Sequence, residues 1–116
     1  MKNRPLRERL GFAADGLKAG WFRERSFRTQ AMFALVALAA LILLRPAPIW
    51  WAIVALVAAM VLALELLNSA LEGVIDRLHP GIHSEIKVVK DMLAGAVLIV
   101  SLSALIVAAA LVVSIW

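Results

Sequence analysis

Four polar side chains lie on one face of a helix that the sequence predicts within an apolar stretch. This acidic stripe consists of Glu65, Asn68, Glu72 and Asp76, which at 100° per residue share a sector of about 80°. A charge costs on the order of 2.5–3.5 kcal/mol at the centre of a membrane span and less towards its edge. The stripe is therefore expected to be paired, metal-bound or functional. The alternative is interhelical hydrogen bonding to serine, backbone or arginine groups of neighbouring helices.

Other charged residues are predicted at the same depth as the stripe. Lys90 and Asp91 precede the last apolar stretch, and Glu24 precedes the first. Mg²⁺ takes oxygen ligands and usually retains waters and substrate phosphates, so two protein carboxylates can be enough. A nearby lysine neutralises a transferring phosphoryl group. The pattern favours a magnesium–phosphate site at one membrane edge. The alternative is that Lys90 snorkels to the interface and Asp91 caps the N-terminus of the last helix.

Common phosphate- and metal-binding patterns are absent from the sequence. No glycine lies in a G-x-x-x-x-G-K-[ST] or G-x-G-x-x-G arrangement, so an ATP site would have to be built from a connector and helix ends. With no cysteine, disulfides and thiolate metal sites are excluded. His79 and His83 are separated by Pro80 and Gly81, which disfavours a zinc site on one helical face. Loop polarity is the simpler interpretation, with His83 a candidate nucleotide contact.

Composition identifies the elements that must position these residues. Of 116 residues 64% are hydrophobic and 17% charged, with a mean hydropathy of +0.94, which is typical of an integral membrane protein rather than a soluble domain. We expect one all-α membrane domain over residues 1–116. Its predicted parts are an amphipathic surface helix over 1–28 and membrane helices over 29–45, 49–78 and 90–116. Arg45-Pro46-Ala47-Pro48 predicts a turn between the first two spans, and Gly16-x-x-x-Gly20 permits close backbone approach in the surface helix.

Basic residues predict the orientation. Residues 1–30 hold eight Lys or Arg and the connector before the last span holds three, against Arg45 alone on the other side. The positive-inside rule places the N-terminus and the connector in the cytoplasm and the C-terminus outside. The basic N-terminal segment suits anionic lipid headgroups better than nucleic acid.

Two segments carry a family resemblance. The stretch Glu65-Leu-Leu-Asn-Ser-Ala-Leu-Glu72, followed by Asp76-Arg77 and then by Lys90-Asp91 with Ala-Gly-Ala-Val-Leu behind it, resembles the prokaryotic diacylglycerol kinase and undecaprenol kinase family. The segment from Trp21 to Arg28 is similar to the part of that family that precedes its first span.

The resemblance implies a homotrimeric lipid kinase of the bacterial inner membrane that uses MgATP and shares its active sites between subunits. By position, Glu65 resembles the general base and Asn68 a residue beside the catalytic carboxylates. Glu24 and Glu72 resemble the Mg²⁺ ligands on the nucleotide side. The remaining implied contacts are His83, Lys90 and Asp91 with the nucleotide, and Trp21, Phe27, Arg28 and Glu65 with the lipid substrate.

The favoured interpretation is a kinase that phosphorylates the primary hydroxyl of diacylglycerol by direct in-line transfer. Undecaprenol is the alternative acceptor. Two alternatives come from other functional classes. One is a small proton-coupled exporter that uses Glu65 as a proton relay, and the other is a non-catalytic membrane assembly factor.

Overall fold

Four helices make up the part of the chain that the structure, a computed structural model, describes, residues 3–78 and 84–116. They are α1 (Leu6–Arg23), α2 (Arg25–Leu44), α3 (Pro48–Leu78) and α4 (Ser84–Ile115). The last three are apolar and have 20, 31 and 32 residues. At about 1.5 Å per residue each can cross a hydrocarbon core of about 30 Å. The predictions of an all-α fold and of three apolar helices long enough to span a membrane are confirmed.

The turn between α2 and α3 forms where the sequence predicts it. Helix α2 ends at Leu44, and Arg45 takes a left-handed conformation with φ 48° and ψ 55°. The Arg45 N–H donates to the Leu41 carbonyl at 2.9 Å, which closes the last turn of α2. Pro48 is the first residue of α3, where its missing N–H costs nothing because that position has no helical acceptor.

Several helix boundaries differ from the predicted ones, among them the end of α1, the start of α2 at Arg25 and the start of α4. Helix α1 ends at Arg23, before the predicted residue 28, because Glu24 is extended with φ −112° and ψ 109°. Helix α4 begins at Ser84, before the predicted residue 90. An acidic residue in the first turn, Glu85, suits the positive end of the helix dipole. Because Asp91 lies seven residues after the start of α4, the alternative in which it caps that helix is wrong.

Helix α3 packs against both α2 and α4. Few side chains in these three helices are buried: the apolar ones are Phe27, Leu41, Val61 and Leu111. Large apolar side chains cover the outside of the bundle, for example Leu43 at 82% exposure and Val113 at 74%. Such a surface would be a large apolar patch in water. In a lipid bilayer these side chains would face apolar acyl chains. The helical backbone is also compatible with that environment, because its hydrogen bonds are made within each helix.

Candidate functional site

The acidic stripe lies on α3 and becomes more exposed towards the end of the helix. Glu65 is buried at 6% exposure, Asn68 and Glu72 are half-buried, and Asp76 is exposed. The Asn68 Oδ1 atom is buried and has no hydrogen-bond partner in the part of the chain that the structure describes. Buried polar atoms are nearly always satisfied in folded proteins. An unpartnered acceptor beside a buried carboxylate therefore marks this part of α3 as a place for a ligand.

The break between α1 and α2 brings a further carboxylate, that of Glu24, towards the stripe. Glu24 is half-buried and lines a cavity of about 670 Å³ between α1 and α3. Glu24 and Glu72 both lie close enough to Glu65 to act on it electrostatically. The rest of the lining consists mainly of small residues and includes Ala13, Gly16, Ala19, Gly20, Ser69, Ala70 and Gly73. Small side chains leave the space open beside Glu24.

Glu24, Glu65 and Glu72 form a cluster of carboxylates that interact electrostatically. Among residues 3–78 and 84–116, none of Glu24, Glu65 and Glu72 makes an ion pair. Carboxylate and amide oxygens are the hard ligands that Mg²⁺ prefers, so the donor set fits that cation. Within the described ranges no three acidic or histidine side chains are grouped closely enough to hold a metal by themselves. The predicted ligands are only two, Glu24 and Glu72, and their assignment stays a prediction.

Lys90 reaches the stripe from α4. Its Nζ donates to Asp76 Oδ1 at 2.6 Å, and it lies within electrostatic range of Glu72. Asp91, by contrast, accepts from Lys87 Nζ at 2.7 Å on its own helix. Lys90 of the predicted pair therefore connects α4 to the acidic stripe. Asp91 instead pairs with Lys87, one turn earlier on α4. His83 lies outside the described residues.

The segment from Trp21 to Arg28 surrounds the break at Glu24. Phe27 is buried at 7% exposure, whereas Trp21 is 40% exposed. Arg28 Nη1 donates to the Trp21 backbone carbonyl at 2.7 Å. Three of the four predicted lipid contacts thus lie around Glu24, and the roles of all four toward a lipid remain predictions.

Comparison with known proteins identifies the family. The sequence matches the family described as prokaryotic diacylglycerol kinase over residues 11–112. The chain belongs to the prokaryotic diacylglycerol kinase family. This match confirms the family that the stretch Glu65–Glu72 and the Lys90-Asp91 pair indicated.

Diacylglycerol kinases from three organisms illustrate this similarity. The one from Synechocystis sp. is 36% identical over 97 residues, which cover 83% of this chain and 55% of the relative. That from Escherichia coli K12 is 33% identical over 96 residues, covering 83% and 79%. The Helicobacter pylori relative is 31% identical over 90 residues, covering 78% and 70%. The chain thus spans about half the length of the Synechocystis relative and more of the other two.

Three features of this family member's site were not predicted from the sequence. They are the Asp76 partner of Lys90, the Arg28 hydrogen bond to Trp21, and the contact between α1 and α3 at Gly20. A Cβ atom on Gly20 would meet Leu66 Cδ2, so only glycine fits there without moving Leu66. The Gly16-x-x-x-Gly20 spacing was the available signal for close approach. The two hydrogen-bonded pairs depend on tertiary contacts that spacing alone does not reveal.

Proposed function

We propose that this protein is an ATP-dependent diacylglycerol kinase that phosphorylates the primary hydroxyl of diacylglycerol to give phosphatidic acid. Family membership supports the reaction class. The observation that carries the residue assignment is the burial of Glu65 beside Asn68 Oδ1, with no ion pair for Glu65 and no hydrogen-bond partner for Oδ1 among residues 3–78 and 84–116. We place Glu65 at the membrane edge, at the depth where a lipid would present its hydroxyl.

The proposed step is a direct in-line transfer. A carboxylate oxygen of Glu65 accepts the proton of the lipid hydroxyl while the hydroxyl oxygen forms a bond to the γ-phosphorus of ATP. The bond between that phosphorus and the bridging oxygen breaks, ADP leaves with the electron pair, and no phosphoenzyme forms. Asn68 orients the reacting groups through its side-chain amide. Catalysis rests mainly on positioning and on charge stabilisation.

The nucleotide side of the proposed site uses residues nearer to water. Glu24 and Glu72 would hold Mg²⁺, which when bound neutralises phosphate charge and orients the phosphates. Lys90 changes its partner from Asp76 to phosphate oxygens when the nucleotide binds, while Asp91 and His83 contact the nucleotide. Trp21, Phe27 and Arg28 line the approach of the lipid. The burial gradient along α3 supports this division, because the lipid comes from the apolar side and the nucleotide from water.

We further propose that the site faces the cytoplasm of a bacterial inner membrane, with the N-terminus in and the C-terminus out. The excess of Lys and Arg before α2 and α4 supports this orientation. Exposed basic residues of α1, including Arg7, Arg9 and Lys18, suit anionic lipid headgroups. A homotrimer that shares its active sites would cover part of the exposed apolar surface.

The acceptor is tested by phosphorylation in mixed micelles. Purified protein receives labelled ATP and Mg²⁺ with either diacylglycerol or undecaprenol at the same mole fraction. We expect labelled phosphatidic acid from diacylglycerol. Label in undecaprenyl phosphate alone would contradict the diacylglycerol assignment and favour the alternative acceptor. No lipid-dependent ATP turnover with either lipid would contradict the kinase proposal and reopen the exporter alternative.

The metal role is tested in the same assay with a matched pair of variants. We expect Glu72→Gln to raise the Mg²⁺ concentration for half-maximal rate by about 10- to 100-fold, the usual effect of disturbing a metal site. Glu8→Gln is the control, because Glu8 is an exposed acid of α1 that pairs with Arg4. Equal Mg²⁺ dependence in the two variants would exclude Glu72 as a ligand.

A further inference from the structure

The helix break at Glu24 removes a backbone donor that a continuous helix would supply to the end of α1. The last four carbonyls of any α-helix lack intrahelical partners. At the end of α1, the Gly20 carbonyl accepts from the Glu24 N–H at 2.9 Å. In a continuous helix the next carbonyl, that of Trp21, would accept from the backbone N–H of residue 25. Because Glu24 is extended, that backbone bond is not made, and a side-chain or water donor serves the Trp21 carbonyl instead.

Arg28 supplies that donor from the first turn of α2. The hydrogen bond from its Nη1 to the Trp21 carbonyl is 2.7 Å long, a distance typical of charge-assisted bonds. A cation at this position also complements the negative end of the α1 dipole. The bond spans seven residues and has Glu24 between its ends. It therefore closes a loop that fixes the angle between α1 and α2.

Packing holds the same break from the α3 side. A Cβ atom on Gly20 would lie 3.4 Å from the Phe27 ring and would also meet Leu66. Gly20 and Phe27 are both buried. The backbone of Glu24 is therefore held between a polar contact at Trp21 and an apolar contact at Gly20. Glu24 itself lines the cavity that α1 shares with α3.

We propose that Arg28 is a positioning residue that aims the Glu24 carboxylate at the metal–nucleotide side of the site by bonding to the Trp21 carbonyl. This inference rests on the proposed kinase function. This role is distinct from the lipid contact proposed above, because the bond to the Trp21 carbonyl uses one of the five guanidinium N–H donors, and the two roles predict different kinetics. As a positioning residue, Arg28 when lost should weaken the response to Mg²⁺ and ATP and leave lipid recognition nearly unchanged.

Steady-state kinetics of the full chain separate these two roles. Arg28→Gln should raise the Mg²⁺ requirement and the KM for MgATP by about 10- to 100-fold, as loss of a group that supports a metal ligand does. The KM for diacylglycerol should change less than twofold. Arg28→Lys, which keeps a charged donor, should restore most of the loss. Arg25→Gln removes the same charge from an exposed residue of the same turn and should match the wild type.

Binding measurements make the test independent of turnover and of folding defects. The affinity for MgATP is measured for Glu24→Gln, Arg28→Gln and the double variant, with helix content and melting temperature checked for each. If Arg28 acts through Glu24, the double variant should bind no more weakly than Glu24→Gln. Should Arg28→Gln fail to fold, the cycle is run with Arg28→Met, which keeps the apolar part of the side chain and removes the donor. Additive losses, or a rise in the KM for diacylglycerol alone, would overturn the proposal. Absence of lipid phosphorylation by the wild type would instead overturn the proposed function.

Discussion

The two ends of α2 interrupt the helical chain by different physical means. At Arg45 the interruption is local: a left-handed residue ends α2, and Pro48 begins α3. At Glu24 a single extended residue separates α1 from α2. That residue is held by contacts from elsewhere, namely the Arg28 bond to Trp21 and the packing of Gly20 against Leu66.

The Arg45 end of α2 is a simple connection between two helices, whereas the Glu24 end is part of the candidate site. The Arg45 end needs only short-range contacts and joins two apolar helices. At the Glu24 end, a carboxylate joins a cluster that makes no ion pairs in the described ranges, next to an unpartnered buried amide oxygen. Arrangements that cost stability persist mainly where function requires them. Substitutions at the Glu24 end should therefore change catalysis more than stability, and substitutions at the Arg45 end the reverse.

Glu65→Gln should give the largest effect. Removal of a general base typically lowers kcat by about 10²- to 10⁴-fold, and we expect phosphatidate formation to fall within that range. The amide keeps the shape of the buried side chain and removes one of three neighbouring negative charges, so the melting temperature should not fall. Glu8→Gln serves as the control and should leave both quantities unchanged. A kcat near the wild-type value would exclude Glu65 as the base.

The Lys90 variants test the side of the site that α4 contributes. Lys90→Met should raise the KM for MgATP by about 10- to 100-fold, since charged hydrogen bonds contribute about 1.5–3 kcal/mol and each 1.4 kcal/mol is a factor of about ten. Its ion pair with Asp76 is between side chains 39% and 61% exposed, so the free energy of unfolding should change by less than about 1 kcal/mol. Lys87→Met removes a similar charge whose ion-pair partner in the described residues is Asp91 on the same helix, and it should raise the KM for MgATP much less than Lys90→Met does. Equal KM values for the two variants would contradict the assignment of Lys90.

Gly20 tests whether packing between α1 and α3 supports the break. Gly20→Val places a branched side chain against Leu66, and overpacking of this kind costs about 1–3 kcal/mol. We expect a lower melting temperature together with a higher Mg²⁺ requirement, because the displaced helix carries Glu24. Gly11→Ala is the matched control: nothing lies within 4 Å of its added Cβ, and helix propensity should stabilise it by up to about 1 kcal/mol. Two variants with equal stability would show that the Gly20 contact is not needed.

The same contrast explains what the sequence could predict. The Arg45 turn, the three apolar helices and the acidic stripe follow from short-range rules: proline geometry, hydropathy over about 20 residues, and the 100° helical period. The break at Glu24 does not follow from such rules, because Glu24 carries no turn signal and its neighbours favour a helix. Its extended backbone depends on Arg28 and on α3. In the same way, the pairing of Lys90 with Asp76 depends on how α4 packs against α3.

The smallest expected effect lies at the opposite end, at Arg45. A left-handed backbone costs an L-residue about 1–2 kcal/mol, and glycine avoids that cost but loses more entropy on folding. Arg45→Gly should therefore raise the free energy of unfolding by about 0.5–1 kcal/mol. Its kinetics should be unchanged, because α2 separates it from Glu24 by about 30 Å. Arg45→Ala removes the same charge but keeps a Cβ, so equal stabilisation of both variants would assign the effect to charge rather than to backbone conformation.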